Sequence, residues 1–226
     1  MNTIRKEDVD PENWKPDCPE DFFGATQRVA RVLMRKALAA KAAGRGRVKY
    51  LFSGPPGVGK SALAGIVARA LAGGEDDAGG RNPNIMVESG RALRSDRIEA
   101  IRRDMVIGSL FSDWLVLVIE EGDTLPRDGQ DALLTLLDEM GDRRAVIVTS
   151  NLATEELTPR FQSRFQLFEM GAVEADEMFD WLRPWADRAG MSGVDLADLV
   201  TAADGNVRQA LLDIQTALDY AREAAE

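Results

Sequence analysis

Residues 54–61 decide the fold of this chain, and they read Gly54-Pro55-Pro56-Gly57-Val58-Gly59-Lys60-Ser61. A short apolar run, 48–52, ends just before them, and a segment rich in alanine and leucine, 61–71, follows. Glycines at these positions let backbone N–H groups curl around phosphates, while the next helix points its positive N-terminus at them. The pattern predicts a strand, a phosphate-binding loop and a helix, and the alternative is a glycine-rich turn that arose by chance.

The same residues predict how a nucleotide is held. We expect Lys60 to neutralise β- and γ-phosphate oxygens and the Ser61 hydroxyl to bind Mg²⁺. The predicted nucleotide site consists of Gly54, Pro55, Pro56, Gly57, Val58, Gly59, Lys60, Ser61 and Ala62. The expected cofactors are therefore ATP and Mg²⁺.

An acidic pair follows a second apolar run. Residues 114–119 have the continuous apolar pattern of a parallel strand that is covered on both faces, and Glu120 and Glu121 come directly after it. A phosphate loop needs a carboxylate at the end of a neighbouring strand to hold Mg²⁺ through its water shell. We expect Glu120 to help position Mg²⁺ and Glu121 to act as the base that polarises the attacking water. The alternative is that both glutamates only solvate a strand end.

Strand and helix patterns alternate along most of the chain. The first 24 residues contain three prolines among polar residues and predict an extended lead-in. After it, strand patterns occur at 48–52, 84–88, 114–119 and 145–149, and helical patterns at 25–43, 61–71, 95–106 and 129–140. This alternation predicts a three-layer α/β/α domain with a parallel sheet and right-handed crossovers over residues 1–170. Further helical patterns lie at 175–189, 194–203 and 207–224. They predict a small all-α helical lid domain over residues 171–226.

Composition narrows the possible chemistry. The 226 residues include no histidine and one cysteine, Cys18, so an intrachain disulfide and the usual zinc and histidine-based catalytic sites are excluded. Catalysis must rest on carboxylates, lysine, arginine and a bound metal. No apolar run approaches the roughly 20 residues that span a bilayer, and the start of the chain has no secretory pattern, so we expect a cytoplasmic protein without a membrane partner.

Five runs, in this order, resemble the AAA+ ATPases and, among them, the clamp-loader subunits of the replication factor C type. They are GPPGVGKS, LVLVIEEGDTL, VIVTSN, LTPRFQSRF and GNVRQAL. The early run WKPDCPEDFFG is similar to the segment that lies along the adenine in those subunits. The collar domain of clamp-loader subunits has no counterpart in this sequence. If the chain assembles, its ring is therefore expected to be held by ATPase-domain contacts or by other chains.

The resemblance implies roles for three more residues. Asn151 matches the first sensor, whose amide would contact the γ-phosphate or the attacking water, and Arg208 matches the second sensor on the lid. Arg164 matches the arginine finger, a cation supplied to the active site of an adjacent subunit in a homo- or hetero-oligomer. The catalytic set is thus Glu121, Asn151, Arg164 and Lys60, and Arg208 completes the nucleotide site.

Each of these assignments has a simpler alternative. Asn151 could cap a loop turn, and Arg208 could be a solvated helix residue. Arg164 could be a surface arginine that pairs with Glu155 or Glu156, and Arg160 could share or take its role.

One residue departs from the pattern of the family. The first acidic residue of the family's metal-binding motif is usually aspartate, whereas Glu120 is one methylene longer, which moves the carboxylate by about 1.5 Å. The sequence therefore predicts ATPase activity but leaves its rate open.

A basic stretch lies between the two nucleotide motifs. It contains Arg91, Arg94, Arg97, Arg102 and Arg103. In clamp loaders the corresponding helix faces the central channel, so these side chains are candidates for contacts with DNA phosphates. The alternative is a solvated helix face balanced by Asp96, Glu99 and Asp104. The formal net charge of -10 argues against a uniformly basic nucleic-acid binder.

The resemblance thus implies an ATP-binding subunit of an oligomeric machine that loads a clamp or a helicase on DNA in replication or repair. One alternative is an AAA+ protein remodeller, although the sequence shows no clear aromatic-glycine pore loop before the strand 114–119. The other is a structural subunit that binds nucleotide and hydrolyses it weakly, which Glu120 would favour.

Overall fold

The computed structural model describes residues 9–73, 82–107, 114–153 and 158–224. The strands are β1 (Arg47–Ser53), β2 (Ile85–Ser89), β3 (Leu115–Glu120), β4 (Arg144–Ser150) and β5 (Gln166–Glu169). The helices are α1 (Gly24–Ala43), α2 (Lys60–Ala72), α3 (Ser95–Ile107), α4 (Arg127–Glu139), α5 (Pro159–Gln162), α6 (Ala175–Arg188), α7 (Gly193–Ala203) and α8 (Val207–Glu223). Short 3₁₀ turns lie at Pro11–Asn13, Pro19–Asp21, Gly90–Ala92 and Gly122–Thr124. No helix in these ranges is long and apolar enough to cross a membrane.

The strands form a parallel sheet in the order β2-β3-β4-β1-β5, with helices on both faces. Successive residues of a strand point to opposite faces. On β1, Phe52 faces the core that includes residues of α1 and α2, whereas Leu51 faces the core that includes residues of α3 and α4. Both faces of the central strand β4 are covered, and all seven of its residues are buried. This explains the continuous apolar runs and confirms the predicted three-layer fold.

Two elements at the edge of the sheet were missed by the sequence patterns. β5 has four residues, of which only Leu167 and Phe168 are apolar, and it pairs with β1. The four-residue helix α5 precedes it. Both elements are too short to show a periodic pattern, so packing against the rest of the sheet determines them.

The three C-terminal helices surround a core of their own, which includes Trp185 of α6 and Ile214 of α8. Residues 9–14 of the lead-in join this core. The ring of Trp14 meets that of Trp181 edge-on at a centroid distance of 4.8 Å, and Trp185 Nε1 donates to the carbonyl oxygen of Val9 at 3.0 Å. The described part of the lead-in, residues 9–24, is therefore not simply extended, because it contains two 3₁₀ turns and residues 9–14 pack on the C-terminal helices.

Candidate active site

Three glycines shape the loop between β1 and α2. Gly54, Gly57 and Gly59 have φ angles of 139°, 81° and 95°. L side chains rarely adopt this region, so glycine is needed where the chain bends so tightly. The loop turns back over the N-terminus of α2, as the sequence pattern predicts.

Two contacts of this loop could not be predicted from the motif. A Cβ atom on Gly57 would collide with the side-chain amide of Asn206, and one on Gly59 would lie 3.0 Å from Cε1 of Phe22. Asn206 belongs to the C-terminal region and Phe22 to the lead-in. The phosphate loop therefore contacts segments that lie far away in sequence. Both residues lie in runs that carry the family resemblance, Phe22 in WKPDCPEDFFG and Asn206 in GNVRQAL.

Lys60 lies inside the loop and is 7% exposed. Its Nζ atom donates to the carbonyl oxygens of Gly54 at 2.8 Å and Pro55 at 2.6 Å. Burial lowers the pKa of Lys60 to about 8; Asp123 opposes this shift, and the positive charge of Arg208 adds to it. The loop lysine is thus within electrostatic reach of the turn after β3 and of the start of α8.

The ends of three strands bring the remaining acidic and polar residues to the same edge. Val148 pairs with Ile119 on one side and with Leu51 on the other. Shortly beyond these paired residues come Glu120 at the end of β3, Asn151 after β4 and Gly54 after β1. The three residues therefore lie at the same edge of the sheet. Neighbouring strands are about 4.8 Å apart, and β4 lies between β3 and β1. The turn after β3, which contains Glu121, therefore lies roughly 10 Å from β1, the strand that carries the phosphate loop.

Glu121 has a strained backbone, with φ 54° and ψ 50°. Its N–H donates to Thr149 Oγ1 at 3.2 Å, and its carbonyl oxygen accepts from the N–H of Thr124 at 2.9 Å. A Cβ atom on Gly90 would collide with that carbonyl oxygen. Non-glycine residues in the left-handed region are uncommon and concentrate at functional sites. The contacts with the neighbouring strand ends thus hold Glu121 in a backbone conformation that is unfavourable for a non-glycine residue.

The start of α8 reaches the phosphate loop. Asn206 caps the helix, since its Oδ1 atom accepts from the N–H of Gln209 at 3.1 Å, and the same side chain lies against Gly57. Arg208 is exposed in the first turn of α8, and its charge acts on Lys60. The structure therefore brings the residue predicted as second sensor close to the loop.

Arg164 lies far from the phosphate loop of its own chain. Its Nη2 atom is 3.3 Å from Oδ2 of Asp138, near the C-terminus of α4, and the backbone carbonyl of Asp138 accepts from Arg47 at the start of β1. The seven steps of extended chain from Arg47 to Gly54 span about 23 Å. Arg164 is thus separated from its own phosphate loop by more than the length of an arginine side chain. The proposed partners Glu155 and Glu156 lie outside the described residues.

The basic stretch is partly neutralised. Arg97 pairs with Glu88, and Arg102 pairs with Glu99 and Glu139. Of the three acidic residues expected to balance this face, Glu99 does so through Arg102. Arg91, Arg94 and Arg103 are exposed. These three remain the candidates for contacts with phosphates.

Comparison with known proteins gives a consistent picture. Residues 50–170 match the family described as "ATPase family associated with various cellular activities (AAA)". The chain is 27% identical to a replication factor C small subunit of Halobacterium salinarum over 217 residues, which cover 94% of this chain and 63% of that protein. A replication factor C small subunit of Methanocella arvoryzae is 26% identical over 224 residues, which cover 97% of this chain and 66% of that protein. The resemblance to clamp-loader subunits is confirmed, and the chain spans less than two thirds of the length of these relatives.

The fold has a solved counterpart in RuvB of Thermotoga maritima. A mutant form of that protein superposes with a TM-score of 0.71 and a sequence identity of 21%, over 94% of this chain and 68% of that one. At this identity the similarity concerns the fold alone. It agrees with the parallel sheet and its helices.

Proposed function

This chain belongs to the AAA family of ATPases, and we propose that it is the ATP-binding and ATP-hydrolysing subunit of an oligomeric machine that loads a clamp or a helicase on DNA. Family membership implies nucleotide binding. The finer statements, on Mg²⁺, on the composite site and on DNA, are proposals that rest on the geometry and on the similarity to replication factor C small subunits.

The separation of Arg164 from its own loop is the observation that supports an oligomer. Lys60, Glu121, Asn151 and Arg208 lie at the edge of the sheet that carries the phosphate loop, whereas Arg164 lies near the opposite end of β1. An arginine that serves hydrolysis from there must act on the nucleotide of a neighbouring subunit. The active site would then be complete only between two subunits.

Within one subunit, the proposed binding and catalytic residues have different roles. Lys60 would bind the β- and γ-phosphates, exchanging the loop carbonyls of Gly54 and Pro55 for phosphate oxygens. Glu121 would polarise the attacking water, and Asn151 would orient it. Arg208 would contact the γ-phosphate and thereby close the C-terminal helices over the nucleotide.

Mg²⁺ fits the residues that are present. In the described ranges, no group of three or more acidic, cysteine or histidine side chains stands together as a preformed metal site. This agrees with a metal held mainly by phosphate oxygens and water, with only one or two protein side chains. Ser61 and Glu120 would be those side chains. If the longer Glu120 slows hydrolysis, Glu120→Asp raises the turnover of ATP without changing its affinity.

We infer that residues 1–170 and 171–226 act as two domains. The C-terminal helices have their own core, and a Cβ atom on Gly171 would meet nothing within 4 Å. Gly171 is thus a suitable place for a hinge. The lead-in ties the two parts together because Trp14 packs on α6, whereas Phe22 lies against the phosphate loop.

The experiment that tests this function compares ATP turnover with and without primed DNA, and measures DNA binding with and without ATP. We expect DNA to bind in the presence of ATP and to raise turnover, and lower binding after substitution of Arg91, Arg94 and Arg103 by glutamine. Absence of turnover in both assays, together with absence of DNA binding, would reject the proposal. Turnover that responds to a protein partner but never to DNA would instead indicate a remodeller.

Mixing two inactive variants tests the composite site. Lys60→Ala removes nucleotide binding, and Arg164→Ala removes the finger. If the finger acts across an interface, a mixture recovers part of the activity because some interfaces pair an intact loop with an intact Arg164. If the mixture recovers no ATP turnover, Arg164 acts on the nucleotide of its own subunit or takes no part in the reaction.

A further inference from the structure

The guanidinium of Arg164 is held loosely on its own subunit. Nη2 lies 3.3 Å from Asp138 Oδ2, and Nη1 donates to Ser163 Oγ at 3.2 Å. Nε is buried and has no acceptor among the residues that the structure describes. A buried N–H without an acceptor is unfavourable, and the Asp138 side chain is 55% exposed, so its ion pair is weak. A stronger anion could therefore draw Arg164 away.

Two other cations lie beside Asp138. Arg47 Nη1 donates to the backbone carbonyl oxygen of Asp138 at 3.4 Å. Burial lowers the pKa of Lys49; Asp138 opposes this shift, while Arg47 and Arg164 add to it. Lys49 is thus within electrostatic reach of the same carboxylate. When Arg164 leaves, Asp138 keeps a positive neighbour, which reduces the cost of the departure.

We propose that Asp138 is a positioning residue that holds Arg164 on its own subunit until the nucleotide phosphates of a neighbour compete for it. Lys49 then stays beside Asp138 in its place. The inference rests on the proposed function, because it takes Arg164 to be a finger that acts on a neighbouring subunit. In this scheme Asp138 contacts neither the nucleotide nor the attacking water, and it acts only through Arg164.

The test measures ATP turnover against protein concentration, since a finger that acts between subunits makes turnover depend on association. Asp138→Asn preserves shape and removes the charge. We expect the concentration at half-maximal turnover to fall about two- to fivefold, the range of a weak exposed ion pair, with kcat at saturating protein unchanged. Arg164→Ala is expected to lack turnover, so in that background the test measures how self-association with ATP depends on protein concentration. Asp138→Asn should strengthen this association in the wild-type background and have no effect in the Arg164→Ala background, because the restrained group is absent.

Asp131→Asn is the matched control. Asp131 lies on the same helix, is exposed and pairs with Arg160, at 2.8 Å. We expect it to leave the concentration dependence unchanged. Three results would overturn the role of Asp138. The concentration dependence would stay unchanged in Asp138→Asn, or it would shift equally in the Arg164→Ala background, or it would shift in Asp131→Asn alone. Failure of the proposed function is distinguishable, because Arg164→Ala by itself would then leave turnover unchanged.

Discussion

The backbone N–H of Asn151 donates a hydrogen bond to Oδ1 of Asp123 at 3.0 Å. This bond joins the segment after β4 to the turn after β3. The residue proposed to orient the attacking water is thereby fixed relative to the turn that contains the proposed base. The geometry of hydrolysis then depends on Asp123, which need not contact the nucleotide itself.

Asp123→Ala should lower kcat at saturating ATP by about tenfold or more, since displacements of about 1 Å can cost up to 100-fold. Asp123→Asn keeps an oxygen acceptor at the same position and should keep most of the activity. Steady-state ATP turnover at pH 7 measures both variants under conditions in which Lys60 is largely protonated. Equal losses in the two variants would show that the charge of Asp123 matters and the bond to Asn151 does not.

Nucleotide binding should take up a proton at Lys60. Burial lowers the pKa of free Lys60 from 10.5 to about 8, and phosphate oxygens favour the charged ammonium, so binding raises this pKa again. Affinity should therefore fall as the pH rises above 8, and about half a proton per site should be taken up at pH 8. Calorimetry in two buffers of different ionisation enthalpy measures the uptake.

Lys60→Arg is the control for this measurement, because an arginine stays charged throughout the range. To the extent that this variant binds ATP, its binding should take up no proton at pH 8. A wild-type protein without proton uptake at pH 8 would contradict the role of Lys60 as the group that titrates on binding.

Much of the fold could be predicted because its signals are local. The strands β3 and β4 contain continuous apolar runs, since helices cover both of their faces, and the glycine loop is specified by residues that are adjacent in sequence. The position of Glu120 and Glu121 also follows directly from the end of β3. The sequence therefore predicts the strands and the loop that carry the nucleotide side of the proposed site.

The other features depend on contacts between distant segments. The contact between Asn206 and Gly57 depends on how α8 docks against the loop, and the location of Arg164 depends on the pairing of β5 with β1. Neither has a periodic signal, because β5 is short and Asn206 is also a common helix cap. The ion pair of Arg164 with Asp138 was missed for the same reason.

The strained backbone of Glu121 gives a prediction that separates stability from activity. Glu121→Gln and Glu121→Gly should both abolish turnover, and the glutamine variant should trap ATP and favour assembly. Because glycine adopts a φ of 54° readily, the glycine variant should unfold at a higher temperature than the glutamine variant, by the equivalent of about 1 kcal/mol. Thermal unfolding without nucleotide measures the difference. If the glutamine variant is the more stable one, Glu121 is not strained, and if it keeps wild-type turnover, Glu121 is not the base.

Closure of the C-terminal helices should depend on the contact between Gly57 and Asn206. Gly57→Ala places a Cβ atom where the Asn206 amide lies and also strains a backbone at φ 81°, so ATP affinity should fall by about tenfold or more. Asn206→Gly alone should cost little, since glycine is an acceptable helix cap. Combining the two substitutions removes the collision and leaves the backbone strain, so the double variant should bind ATP more tightly than Gly57→Ala does. Titration with a fluorescent ATP analogue measures all three variants. If the double variant binds as weakly as Gly57→Ala, backbone strain accounts for the whole loss, and the contact of Asn206 with the loop contributes nothing to nucleotide binding.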